Sequence, residues 1–112
     1  MAAKTPDSEA RLRLLGLGVR AGTVVLGVDG VRAALQAGRV RAVMVASDAS
    51  QRAEDKVLRL ARAKGIPLLA GPAAEAIGAR LGRPAIMVAG VLDRALAQGL
   101  VGTSPGGAHR EA

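Results

Sequence analysis

R-A-V-M-V-A-S-D-A-S, the segment from Arg41 to Ser50, runs a short apolar strand straight into an acidic helix start. Working outward from it, Ala42 to Ala46 reads as a strand and Ser50 to Lys64 as a charged helix with Val57, Leu60 and Ala61 turned inward. A Gly65-Ile66-Pro67 turn leads into a further strand over Ile66 to Ala70, and Gly71-Pro72 opens a helix through Leu81. On the N-terminal side, Thr23 to Leu26 forms a β-branched strand. It is followed by Gly27-Val28-Asp29-Gly30 and a helix to Gly38 that buries Val31, Ala34 and Leu35. The periodicity predicts a first helix from a Ser8 cap through Arg20, with Leu12, Leu15 and Val19 on one face and Arg11, Arg13 and Arg20 among the polar positions. A fourth strand is expected over Ala85 to Ala89, and a last helix from an Asp93 cap to about Leu100. Five helices alternating with four continuous apolar strands imply a sheet covered on both faces, a three-layer αβα sandwich of the α/β class.

Composition narrows the function. At 112 residues the chain is expected to hold one domain, over residues 8–101, between loose segments at 1–7 and 102–112. Phe, Tyr and Trp are absent, which excludes single-strand binders that stack bases on aromatic rings. Sixteen Lys and Arg against nine Asp and Glu give a net charge of +7. The sequence pI is about 11.5, and such a balance favours a polyanionic partner. Without cysteine there is neither a disulfide framework nor a thiolate metal site. Met1 to Ser8 lack the apolar core of a leader, and no apolar run approaches the roughly 20 residues of a membrane span. A cytoplasmic protein with no membrane partner is expected.

Catalysis finds few groups to work with. The single histidine, His109, lies in the tail, and no nucleophile elbow, phosphate-binding loop or zinc motif occurs. No enzyme activity, metal or cofactor is expected. Gly16-Leu17-Gly18-Val19-Arg20-Ala21-Gly22 could pass for a dinucleotide loop, but its glycines fall in and at the end of a helix rather than between a strand and a helix. Close packing explains them better. The stronger anion site is the second helix start. There Gly27 and Gly30 bring backbone N–H groups within reach, and Arg32 lies one turn in. Asp29 reads as the cap of that helix, or as an acceptor for a base amino group. Asp48 reads as a cap for the helix from Ser50 or as an acceptor at a strand end, where α/β sheets place ligands. Arg80 and Arg83 flank the Leu81-Gly82 turn and suit phosphate contacts.

These pieces together resemble the kink-turn-binding ribosomal protein family, in particular its small bacterial paralogues of the YlxQ and YbxF type. The matching motifs are L-L-G-L-x-x-R-A-G at Leu14 to Gly22, A-x-D-A-S at Ala46 to Ser50, K-G-I-P at Lys64 to Pro67 and I-G-x-x-x-G at Ile77 to Gly82. The resemblance covers Arg11 to about Leu100. It implies an αβα sandwich around a four-stranded mixed sheet. It also implies a non-catalytic ribonucleoprotein component that binds structured RNA, kink-turn or ribosomal, with the ribosome as a candidate partner and no DNA partner.

In the family, RNA meets a helix start that reads G-x-N-E-x-x-K and the loop before the last strand. Here Gly27 keeps the glycine, Asp29 replaces Asn, Gly30 replaces Glu and Ala33 replaces Lys. Losing one good base contact is worth about 1–3 kcal/mol, so the expected docking mode relies more on charge. Arg20, Arg32, Arg80 and Arg83 would provide it, with Gly27, Val28 and Asp29 against RNA backbone or bases. Erosion of the same positions would also fit a protein-interaction module on this fold. Salt dependence separates the two readings, since RNA contacts release counterions and an apolar interface does not.

Overall fold

The structure is a computed structural model that describes residues 4–102, with side chains described over 9–101. Its elements in chain order are α1 (Lys4–Ala21), β1 (Val24–Leu26), α2 (Val28–Gln36) and β2 (Ala42–Val45). Next come α3 (Gln51–Ala53), a π-helical turn (Glu54–Leu58) and α4 (Arg59–Ala63), which follow one another without a break as one rod. β3 (Leu68–Ala70), α5 (Ala74–Leu81), β4 (Val88–Val91) and α6 (Arg94–Gly102) complete the chain.

The sheet has the order β1-β4-β2-β3. β4 runs antiparallel to both β1 and β2, whereas β2 and β3 are parallel. This is the four-stranded mixed sheet that the resemblance implies. Alternation along the central strands divides the core. Ala42, Met44, Ala89 and Val91 face α1, α5 and α6 through Leu12, Leu15, Ile77 and Leu100. Val43 and Val88 face α2 and the α3–α4 rod through Val31, Leu35, Val57 and Ala61. Helices therefore cover both faces. With no aromatic ring available, fully buried Leu15, Leu35, Ile77 and Leu100 do most of the filling, each worth about 1.5–3 kcal/mol on burial.

Several boundaries differ from the sequence expectation. α1 reaches back to Lys4, so Ser8 lies inside the helix rather than at its cap. Of the segments expected to be loose, 1–3 and 103–112 lie outside the described residues, 4–7 belong to α1, and Gly102 ends α6. β4 occupies Val88–Val91 instead of Ala85–Ala89, because the preceding loop bonds to α5. Arg83 N–H donates to the Gly78 carbonyl at 2.8 Å and Ile86 N–H to the Ala74 carbonyl at 3.0 Å. Within the α3–α4 rod the wider π turn carries an extra residue. Leu58 joins Val57 on the buried face, and Leu60 is only partly buried. Arg11, expected among the polar positions, is 8% exposed, and its Nη1 donates to the Ala70 carbonyl at 2.6 Å.

Of the glycines expected to pack closely, Gly18 does so, whereas Gly16 makes only an ordinary contact with Leu81. A Cβ on Gly18 would lie 2.5 Å from methyl carbons of both Val24 and Leu96. Gly18 thus marks where α1 crosses β1 and α6 at close range, and Gly22, at φ 78°, turns the chain out of the helix.

Candidate nucleic-acid interface

α2 starts from Gly27, whose φ of 95° and ψ of 157° fall in a region open essentially to glycine alone. Gly27 N–H donates to the Val88 carbonyl at 3.0 Å, and its own carbonyl accepts Val31 N–H at 3.0 Å. The helix start is thereby fixed to the start of β4. No side chain caps it. The first-turn amides of Val28, Asp29 and Gly30 have no intrahelical partner by construction, and the helix dipole adds partial positive charge there.

Asp29 is not the cap that the sequence suggests. It is the second helical residue, and its Oδ1 accepts from Arg52 Nη2 at 2.9 Å. Gly30 has a packing reason to be glycine, since a Cβ there would lie 2.7 Å from Val25 Cγ1. The glutamate of the family pattern would require the Val25 side chain to shift at this position.

The facing wall is the loop from Arg83 to Met87. Gly82 ends α5 in the left-handed conformation at φ 72°. Loop and helix touch so closely at Gly78 that any Cβ there would overlap the Pro84 carbonyl. Between this wall and the α2 start lies an open cleft of about 470 Å³. Gly27, Val28, Asp29 and Gly30 line one side, Arg83 to Met87 the other, and Arg52 stands at the rim. The lining is mainly apolar, with Arg52 and Arg83 as its cations. The helix-start amides together with Arg52 and Arg83 suit a polyanion.

The other expected residues lie elsewhere. Arg32 Nη1 donates to the Lys56 carbonyl at 3.1 Å, which turns its guanidinium toward the π turn. Arg20 and Arg80 share a separate depression of about 150 Å³ with Arg13 and Leu17 on α1 and α5, and Arg80 pairs with Glu9. Asp48 does not cap the helix from Ser50. That helix is capped by Ser50 itself, whose Oγ accepts from Ala53 N–H at 3.2 Å. The Asp48 carboxylate instead accepts from Ala74 N–H at 2.8 Å, at the start of α5. Arg52 escapes a sequence reading, because an arginine in the first turn of a charged helix gives no local sign that it faces a distant carboxylate. Among the described residues there is no group of three or more His, Asp or Glu side chains that could hold a metal, and no helix long and apolar enough to cross a membrane.

An αβα sandwich with an uncapped helix start facing the loop before its last strand defines a class that sequence comparison makes specific. The profile of the ribosomal protein L7Ae/L30e/S12e/Gadd45 family matches residues 10–97, and the chain belongs to that family. A Bacillus halodurans protein of unknown function is 30% identical, with a TM-score of 0.76 over 83% of this chain and 94% of that one. The Giardia lamblia 15.5 kD RNA-binding protein has the same fold at 20% identity, with a TM-score of 0.71 over 88% of this chain and 84% of that one. No curated protein matches the chain by sequence.

Proposed function

We propose that this protein is a non-catalytic, cytoplasmic RNA-binding protein that docks a sharply bent RNA, of the kink-turn type or its ribosomal equivalent, in the cleft between the α2 start and the Arg83–Met87 loop. The observation that carries this reading is the apposition of bare first-turn amides to that loop across about 470 Å³, with Arg52 and Arg83 at the margins. The net charge of +7 supports it, as does family membership. The Giardia lamblia neighbour, which has the same fold, is described as RNA-binding. Phosphates would approach the amides and guanidinium groups, and unstacked bases the aliphatic surface around Val28 and Pro84. The small bacterial branch of the family, with transient or permanent ribosome association, is the setting in which such a protein would work.

The test is a binding titration against a kink-turn RNA and a variant lacking its G·A pairs, at several salt concentrations. Tight, salt-dependent binding that prefers the intact bend is expected. Equal affinity for the two RNAs would reduce the reading to general binding of structured RNA. No binding near physiological salt would overturn it in favour of a protein partner.

A further inference from the structure

The ion pair between Asp29 and Arg52 spans two elements that are 23 residues apart in sequence, and both residues line the cleft. Their side chains are 80% and 54% exposed respectively, so the pair adds little to stability. Its position matters more. Asp29 places a carboxylate beside the very amides that would receive an anion. Alone, that charge would repel phosphate. With Arg52 at 2.9 Å it is neutralised, and the guanidinium, which carries five N–H donors, keeps donors free on its exposed side.

The remaining arginines of the expected docking set leave room for such a role. Arg32 is turned toward Lys56, and Arg20 and Arg80 both sit in the separate depression on α1 and α5. Arg83 and Arg52 are the cations that line the cleft. Of these, Arg52 stands on a helix whose start is fixed by the Ser50 cap. Resting on the RNA reading above, we infer that Arg52 is the principal phosphate contact of the cleft and that Asp29 is its positioning residue, holding the guanidinium over the α2 amides before RNA arrives.

The experiment is a double-mutant cycle on the full chain with Arg52→Ala, Asp29→Asn and both together, titrated with kink-turn RNA at several salt concentrations. Arg94→Ala, at the α6 start beyond the opposite end of β4, removes the same charge at a distance and serves as the control. Circular dichroism checks that each variant folds. Arg52→Ala is expected to weaken binding roughly 10- to 100-fold, in keeping with the loss of a charge-assisted contact, and to lower the salt slope by about 1. In Asp29→Asn the side-chain amide oxygen still accepts from Arg52 but carries no charge, so this variant should bind a few-fold tighter. In that background, the loss of Arg52 should cost less than in the parent.

Arg52→Ala no weaker than Arg94→Ala would overturn the inference. So would a loss of binding in Asp29→Asn that persists undiminished in the Arg52→Ala background, which would make Asp29 itself a reader of bases rather than a residue acting through Arg52. If the unmodified chain binds no RNA, the RNA reading itself fails and takes this inference with it.

Discussion

Asp48 and Ala74 are 26 residues apart, yet the Asp48 carboxylate accepts the Ala74 amide at 2.8 Å. α5 has no capping side chain of its own at Ala73, so the loop after β2 caps it from outside. That bond links the end of a central strand to the helix whose far end carries the Arg83–Met87 wall. Asp48→Ala should lower unfolding free energy by about 1 kcal/mol. Ser50→Ala, which removes a local cap, should cost a similar amount. Urea denaturation followed by far-ultraviolet circular dichroism measures both, since the chain has no aromatic fluorescence.

Two glycines separate close packing from ordinary contact. At Gly78 a Cβ would overlap the Pro84 carbonyl, whereas at Gly16 it would meet only Leu81 Cδ2 at 3.7 Å. Gly78→Ala should destabilise by about 1–3 kcal/mol through displaced backbone and should weaken RNA binding by moving the cleft wall. Gly16→Ala, inside α1, should stabilise by about 0.5–1 kcal/mol from helix propensity. Thermal melts and RNA titrations of the two variants form the comparison.

Arg11 is a core contact that its charge disguises. Arg11→Met keeps much of the aliphatic length but leaves the Ala70 carbonyl without its 2.6 Å donor, and should cost about 1–3 kcal/mol. RNA affinity of the folded variant should stay at the parental level, because Arg11 lies outside the cleft. A large loss of affinity alongside unchanged stability would contradict this assignment.

Glu54 is held below its ordinary value of 4.5, chiefly by the hydrogen bond from Arg62 and partly opposed by desolvation. A carboxyl lowered in the folded state stabilises the fold above its unfolded value, and that contribution disappears as pH falls through the lowered value. The pair is exposed, so the effect is small and fades with added salt. In Arg62→Gln the Glu54 titration midpoint should rise toward 4.5, as read from the side-chain carboxyl carbon by NMR.

Much of the architecture was legible because the signals were local. Val31, Ala34 and Leu35 recur at helical spacing, and all three are buried. Val43 and Met44 lie in one continuous apolar run that is buried on both faces. The start of β4 was not legible. Ala85 to Val91 is apolar throughout, and only hydrogen bonds from Arg83 and Ile86 back to α5 decide where pairing begins. In the cleft, Gly27 and its neighbours could be read from the glycine and the helix start. The partners of Asp29 and Asp48 could not, because each is set by tertiary packing over more than 20 residues. Arg20 and Arg83 look alike in sequence, and only the tertiary arrangement puts Arg83 at the cleft and Arg20 away from it.

Gly27, Gly30 and Gly78 shape the groove through backbone conformation and through the absence of side chains. The backbone of the groove is therefore set at positions other than the charged residues at its margin. On the proposed function, exchanging Asp29, Arg52 or Arg83 should change the charge that the groove presents while its glycine-set backbone persists, so that selectivity can be retuned one residue at a time. A randomised library at those three positions would explore new RNA targets on a fixed template.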